Sequence, residues 1–558
     1  MEVKGFSMKR LPLLLTSVLM IILFTIAGCT SAGIVNSDTE PNAVSNNDVT
    51  SDSAVVSLPS DFGVEEAAVS AVADEAVASM PRGQGGGGGY YYGEGGPLST
   101  AELTVNADLP TVDSANVYKL PDPNMPGGNR QLLLDTARLL GIDGPLYFEW
   151  YVGLPTRAAD AQQPLTYHIF DGQQRVGSYA AFEMYYENRA IPSEEYNQMP
   201  LPFAERARIA EQFLTEKGLL TGAYDIVMGW GHEVQFRTEQ DGIALTSPTL
   251  TVQVLPSGEV GNVYMRTFGT PELSETATLR SAESALAYLR ENMQDGQLWY
   301  NIIPTNPDYY RSMYSQNDAK THWERTALSE GESTIVSWVQ VYRAADGSLP
   351  PRIVTDRNIV LAADAAMLEE IANATVNGNN LRLTGVIEGE PGSQTMALSA
   401  WEPVVNPSEL YLNGTYRVAD GQSWLELPGG FRIKMNDAPA DLPADSPVAV
   451  LTYAVVTDED GCGAVLDWVY VDLMSQQPYV EEPMEDPYIN VSDVTIDTIE
   501  LAYQFLYPGE FLPSTFQPYS NDQNAHLVPM WRFAGETNKG DLIEMFIPAL
   551  DSVELPSS

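Results

Sequence analysis

The chain has 558 residues, 75 acids against 29 bases, and a formal net charge of −46. A hydrophobic share of 44% is enough to bury cores, so wholesale disorder is excluded. So negative a surface repels phosphate backbones and argues against a nucleic-acid partner. Two cysteines and four histidines leave little for a zinc site, an iron–sulfur cluster or a disulfide framework. At roughly 150 residues per domain the length predicts three or four domains.

At the N-terminus Lys4, Lys9 and Arg10 precede an apolar run from Leu11 to Ala27, which closes on Thr25-Ile26-Ala27-Gly28-Cys29. The run is about 17 residues, the lower limit for a spanning helix. A basic region, an apolar region and small residues before a cut make a secretory signal. Small residues immediately before a cysteine resemble the lipobox of bacterial lipoproteins. That resemblance implies a signal peptide over 1–28 and a diacylglyceryl thioether on Cys29, which becomes the mature N-terminus. It also implies a chain anchored in the cell membrane by lipid and facing the extracytoplasmic side. Each buried CH2 adds about 0.8 kcal/mol to such anchoring. A plain membrane anchor with an incidental cysteine is the alternative. With Cys29 lipidated, Cys462 is the remaining thiol and no intramolecular disulfide forms. Its setting, Asp458-Glu459-Asp460-Gly461-Cys462-Gly463, reads as a turn whose acids blunt thiol reactivity.

Residues 29–100 are rich in Ser, Asp, Ala, Val and Gly, with a transient helix over Val64–Met80 and a glycine run around Tyr90-Tyr91-Tyr92. This composition predicts a flexible tether with a mean reach of roughly 45 Å. The glycine run lacks the strand–GxxxxGK[ST]–helix context of a phosphate loop.

Residues 101–345 read as helix followed by hairpin, three times over. Helical spacing marks Arg130–Gly141 (Leu132, Leu133, Ala137, Leu140), Ala204–Lys217 (Ile209, Phe213, Leu214) and Ser281–Asn292 (Ala282, Ala285, Leu286, Leu289). Strands are expected at Tyr147–Val152, Leu165–Phe170, Ala181–Glu187, Glu233–Thr238, Thr249–Leu255, Val260–Thr267 and Thr334–Arg343, with turns at Asp171-Gly172, Asp241-Gly242 and Pro256-Ser257-Gly258. The opening Ser281-Ala282-Glu283-Ser284-Ala285 and the turn Leu255-Pro256-Ser257-Gly258-Glu259-Val260 resemble PepSY-like extracytoplasmic domains. Near the C-terminus, Ile496–Tyr503, His526–Phe533 and Leu542–Ala549 resemble the closing sheet of YycH/YycI-type proteins, membrane-tethered regulators of a sensor kinase. Those proteins carry a transmembrane anchor where this chain has a lipobox.

Residues 346–410 and 411–480 break the pattern with two similar sets of short strands. The first set is Ile359–Ala363, Leu381–Ile387 and Ala397–Trp401; the second is Phe431–Met435, Val448–Val456 and Ala464–Trp468. They resemble small closed barrels of the OB type. Trp401 and Trp468, each at a strand end, are candidate ligand or partner platforms, with core packing as the plainer reading. The expected fold class is α+β: repeated helix-plus-antiparallel-sheet units (101–345), two inserted OB-like β units (346–410 and 411–480), and a C-terminal β segment (481–558) that completes a YycI-like sheet.

Nucleophile elbows, SxxK, HExxH, P-loops, CxxC and dinucleotide fingerprints are missing. His168, His232, His322 and His526 are widely spaced, and paired acids such as Glu194-Glu195, Glu369-Glu370 and Glu481-Glu482 carry no information in so acidic a chain. Asp458–Gly461 and Asn377–Asn380 lack a full calcium-loop pattern. Tyr185-Tyr186, Trp299-Tyr300 and Tyr309-Tyr310 are candidate groove aromatics. The expectation is a non-enzymatic lipoprotein without catalytic residues, cofactor or metal. It binds a protein partner at the envelope, a sensor kinase by the resemblance, in a regulatory role. The alternatives are a ligand- or glycan-binding lipoprotein and a hydrolase whose site assembles only in three dimensions.

Overall fold

The computed structural model describes Leu98 and residues 100–553, apart from 121–127, 163–164, 181–182, 192–194, 197, 267–269, 294–297, 306–321, 326, 376–379, 405–409, 458–463, 475–490, 508–511 and 513–523. The expected signal peptide, Cys29, most of the tether, Cys462 and its acidic turn, Asn377–Asn379 and Tyr309-Tyr310 lie outside the described residues. Among those that are described, strand outweighs helix, 51% against 14%, and there are four α-helices. The expected class of repeated helix-plus-sheet units is therefore corrected. The architecture is mostly β, in sheets of seven, fourteen and six strands.

The chain begins with β1 (Glu102–Val105) and β2 (Ser114–Lys119), then forms α1 (Gly128–Leu140). Leu133, Ala137 and Leu140 of α1 recur at helical spacing and are buried. Gly141, at φ +79°, makes the left-handed turn that ends the helix. A meander follows: β3 (Leu146–Trp150), β4 (Tyr167–Asp171), β5 (Gln174–Ala180) and β6 (Glu183–Asn188). The same order then recurs as α2 (Phe203–Glu216), β7 (Tyr224–Met228), β8 (Glu233–Gln240), β9 (Ile243–Ala244), β10 (Leu250–Val254) and β11 (Val260–Arg266). Both helices pack into one core around Phe148, Val176, Val234, Phe236 and Val252. The two meanders do not stand as separate units. β6 and β11 pair antiparallel, with Tyr185 opposite Tyr264, so each satisfies the other's open edge. Helical periodicity locates the helices but carries no information about which strand edges will meet.

β12 (Glu272–Thr278) leaves this sheet to pair with β2. α3 (Ala282–Asn292) follows, capped by Ser281, whose hydroxyl oxygen accepts from the Ser284 N–H at 3.1 Å. Then come β13 (Trp299–Ile303) and β14 (His322–Glu324). The third expected repeat is thus also corrected, because α3 packs on the seven-stranded sheet through Ala285, Leu286 and Leu289 rather than opening another hairpin unit.

β15 (Gly331–Ala344), at 14 residues, is long enough to serve two neighbourhoods. It is followed by β16 (Arg352–Thr355), β17 (Val360–Ala362), α4 (Ala365–Ala374), β18 (Asn380–Glu388) and β19 (Thr395–Val404). The end of β15 pairs with β3, its middle with β16 and its beginning with β18. β15, β16, β17, β19 and β18 close a ring in that order, with β17 and β19 parallel. This ring, which covers the first expected insert, also takes in β15 from before residue 346 and is continuous with the fourteen-stranded sheet. A second ring, in the same order, forms from β20 (Leu410–Ala419), β21 (Gln422–Glu426), β22 (Arg432–Met435), β23 (Pro447–Thr457) and β24 (Ala464–Leu473), with β22 and β24 parallel. β14 extends it at β24. Finally β25 (Asp493–Leu506), β26 (His526–Thr537) and β27 (Leu542–Pro548) complete the seven-stranded sheet with β1, β2, β12 and β13.

Buried ion pairs join the sheets. Arg237 of β8 donates both terminal nitrogens to the Glu544 carboxylate of β27, each at 3.0 Å. Arg532 of β26 donates to Glu544 at 2.8 Å and pairs with Glu500 of β25. Arg237, Glu544 and Arg532 are all buried. Beside them the Thr246 N–H donates to the Tyr503 carbonyl at 2.8 Å. The two rings meet at Asp467 of β24, which accepts from Arg325 at 2.8 Å, from Arg357 at 3.3 Å and from the Val336 N–H of β15 at 2.6 Å.

Removing one partner of a buried pair strands the other charge, at a cost of about 3–5 kcal/mol. Glu544→Gln leaves Arg237 and Arg532 without their shared carboxylate, and its urea unfolding midpoint is expected to fall by the equivalent of that range. A midpoint unchanged from the parent would show that the clamp does not hold the sheets together.

Candidate functional site

Edges decide where a mostly β protein meets others, because an edge strand carries unpaired N–H and C=O groups. β12 is an edge of the seven-stranded sheet and, among the described residues, pairs in a ladder only with β2. Six of its seven residues are exposed, and Leu273 stands 59% exposed.

Its ladder sets what it offers. The Leu279 N–H donates to the Asp113 carbonyl at 2.9 Å. The register continues as Thr278 opposite Ser114, Ala277 opposite Ala115 and Thr276 opposite Asn116. In an antiparallel ladder hydrogen-bonded pairs alternate with non-bonded ones. Ala277 therefore bonds to β2, while the backbone groups of Thr276 and Thr278 point away from it. The Thr278 carbonyl is taken by the Asp551 N–H at 3.1 Å, which closes one end. Among the described residues the open stretch is 272–277. A bulge falls between Leu273 and Glu275, a device that limits uncontrolled pairing. Glu272 and Glu275 make the strand acidic, with no base on it.

A network behind β12 holds it in place. The Thr276 hydroxyl donates to the Asn116 side-chain oxygen at 2.9 Å, and the Asn116 amide donates to Asp241 at 2.9 Å. The Tyr118 hydroxyl also donates to Asp241, and the Tyr503 hydroxyl donates to the Asn116 carbonyl at 2.9 Å. Asp241 sits at φ +56° in the β8–β9 turn, with Gly242 at +75°, the left-handed pair of a tight hairpin. The hydrogen bond from Tyr118, then that from Asn116, holds the Asp241 carboxyl below its usual range.

The residues singled out in the sequence lie elsewhere. Trp468 is buried at 2% exposure, and its indole N–H donates to the Asn436 carbonyl at 2.9 Å. Trp401 is half-buried against the main core, opposite Leu383. His168 belongs to β4 of the fourteen-stranded sheet, His322 to β14 of the six-stranded one and His526 to β26 of the seven-stranded one, and His232 lies just before β8; the structure does not bring them together. Tyr186, Trp299 and Tyr300 are core residues. Burial pushes the His232 imidazole down to about 4, so it is neutral at ordinary pH. A cleft of about 260 Å3 opens beside Thr238, Leu250 and Leu527, but its Arg266 is committed to Glu183 at 2.7 Å. Among the described residues no group of three or more His, Cys, Asp or Glu is placed to hold a metal ion, and no helix is long and apolar enough to cross a membrane. Sequence reasoning missed β12 because Glu-Leu-Ser-Glu-Thr-Ala-Thr has no alternating apolar face; Thr276 and Thr278 were its sole strand-like signal.

No protein-family model, curated protein or solved structure matches the chain.

The Asp241 network gives a pH prediction. A carboxyl whose folded pKa is depressed contributes stability above its unfolded pKa of about 3.9, and loses it as pH falls through the folded value. Amide exchange of 114–119 and 272–278 is expected to accelerate as pH drops below about 4, after correction for intrinsic rates. In Asp241→Asn that pH dependence should disappear. Equal acid sensitivity in the variant would assign the effect to other groups.

Proposed function

We propose that this chain is a non-catalytic lipoprotein, held on the extracytoplasmic side of a bacterial membrane by lipid on Cys29. Its work is to bind an envelope protein partner, which adds an extended segment to the open edge of β12. The observation that carries the reading is this exposed edge, whose outward backbone groups at Thr276 are buttressed from behind. Main-chain hydrogen bonds give such pairing its affinity, and flanking side chains give it specificity. Glu272 and Glu275 select a basic segment. They also disfavour a second copy of this chain, since pairing two β12 strands brings like charges together in a molecule of net charge −46. The resemblance of the closing strands to YycH/YycI-type proteins names a sensor kinase as the first partner to look for.

Two experiments test the two halves. Cys29→Ala is expected to release the chain to the soluble fraction or leave an uncleaved precursor, with loss of acyl labelling; retained labelling ends the lipid-anchor reading. For the edge, a photo-crosslinking residue at Leu273 is irradiated in intact cells and the adduct mapped by mass spectrometry. The expected adduct is a basic, extended segment of another envelope protein, and it disappears in Thr276→Pro, which removes one outward N–H while leaving the bonds to β2. An adduct solely with a second copy of this chain, no adduct, or an adduct indifferent to Thr276→Pro overturns the docking mode.

A further inference from the structure

The fourteen-stranded sheet has a second face, opposite the helices, and part of it is unlike the rest of the molecule. A transverse row crosses β16, β15, β3, β4, β5 and β6. Arg352 lies opposite Tyr342, Tyr342 opposite Glu149, Tyr147 opposite His168, Phe170 opposite Arg175, and Arg175 opposite Glu187. The rings pack edge to face: His168 and Tyr342 at 4.8 Å, Phe170 and Tyr342 at 5.0 Å, Tyr147 and Phe170 at 5.9 Å. Gly177 makes this possible, because a Cβ there would stand 2.6 Å from the Tyr185 ring. That ring needs the space to bring its hydroxyl within 3.3 Å of His168 Nδ1.

Three guanidiniums converge on the row. Arg175 and Arg189 share Glu187, at 2.7 and 3.0 Å. Glu149, the other acid nearby, is held by Gln340 at 2.9 Å. Arg352 differs from both. Among the described residues no carboxylate pairs with it; its guanidinium lies 4.5 Å over the Phe170 ring, and its Nε, like that of Arg175, is buried without an acceptor. In a chain of 75 acids and 29 bases an arginine without an acid is the reverse of expectation. An unpaired, partly buried charge is costly, so retaining it calls for an anion from outside.

We propose that Arg352, with Arg189 and Arg175 behind it, binds the carboxylate of a small acidic ligand. The occluded Nε leaves the end-on pair of terminal nitrogens, a two-donor fork that fits the two oxygens of one carboxylate. Arg189 is close enough to act on Arg352 by charge and so adds to the positive field, and the Tyr147 and Tyr342 rings belong to the buried aromatic cluster beside it. His168 contributes no charge of its own: burial, and then the neighbouring Arg175 and Arg189, hold its imidazole neutral. This site is separate from β12 and does not depend on the partner reading.

The test is titration of the purified chain with sodium glucuronate, with glucose as the neutral isostere and inorganic phosphate as the tetrahedral anion, read by calorimetry. Glucuronate is expected to bind, glucose not at all, and phosphate more weakly. Arg352→Gln should weaken glucuronate at least about 10-fold, the loss of one charge-assisted contact. Arg352→Met separates binding from folding. It keeps the stem against Phe170 and removes an uncompensated charge, so the ligand-free thermal midpoint is expected to stay level or rise while binding is lost. No heat with glucuronate at millimolar concentration, phosphate binding as tightly as glucuronate, unchanged affinity in Arg352→Gln, or a lowered midpoint in Arg352→Met would each overturn the proposal.

Discussion

The pair between Arg237 and Glu544 is the constraint on which the rest depends. It joins a strand of the fourteen-stranded sheet to one of the seven-stranded sheet, with both side chains buried and both terminal nitrogens engaged. A buried charge is tolerated only when its partners are complete, so the pair fixes relative placement as well as proximity. Arg532 and Glu500 extend it across β26 and β25. Because Tyr503 and Gln504 lie on β25, the same placement brings Thr246 against them and sets Asp241 under β2. The edge at β12 thus inherits its position from a salt bridge elsewhere in the sheet.

The scarcity of bases gives these contacts their meaning. With 29 Lys and Arg in the whole chain, arginines recur where one sheet meets another: Arg237 and Arg532 at one joint, Arg325 and Arg357 at the other. The planar guanidinium suits that task, since its fork matches a carboxylate in a fixed plane. Among the described residues few acids are buried, and the exposed ones keep edges such as β12 from pairing indiscriminately. Arg352 stands outside this division, being neither a joint nor surface-paired.

The helices were legible because a helix buries a stripe, and Leu133, Ala137 and Leu140 or Ala285, Leu286 and Leu289 mark one locally. Most strands in the large sheet were legible for the same reason, through alternation such as Val339-Gln340-Val341. Assembly was not. Nothing in residues 183–188 or 260–266 says that these two strands will pair, and that pairing turns two helix-hairpin segments into one sheet. Trp401 and Trp468 show the same limit for sites. An aromatic at a strand end is a platform or a core residue according to what packs on it, and Asn436 and Arg325 lie against the Trp468 ring.

The sequence by itself determined the charge, the local periods of helix and strand, and the turns at Asp171-Gly172 and Asp241-Gly242. These are properties of neighbours along the chain, set by side-chain spacing and backbone sterics. Only the tertiary structure decided which edges closed, which arginines found acids and which strand was left open. Each of those depends on groups as far apart as Arg237 and Glu544, and a pattern read over a dozen residues cannot carry a contact that spans three hundred.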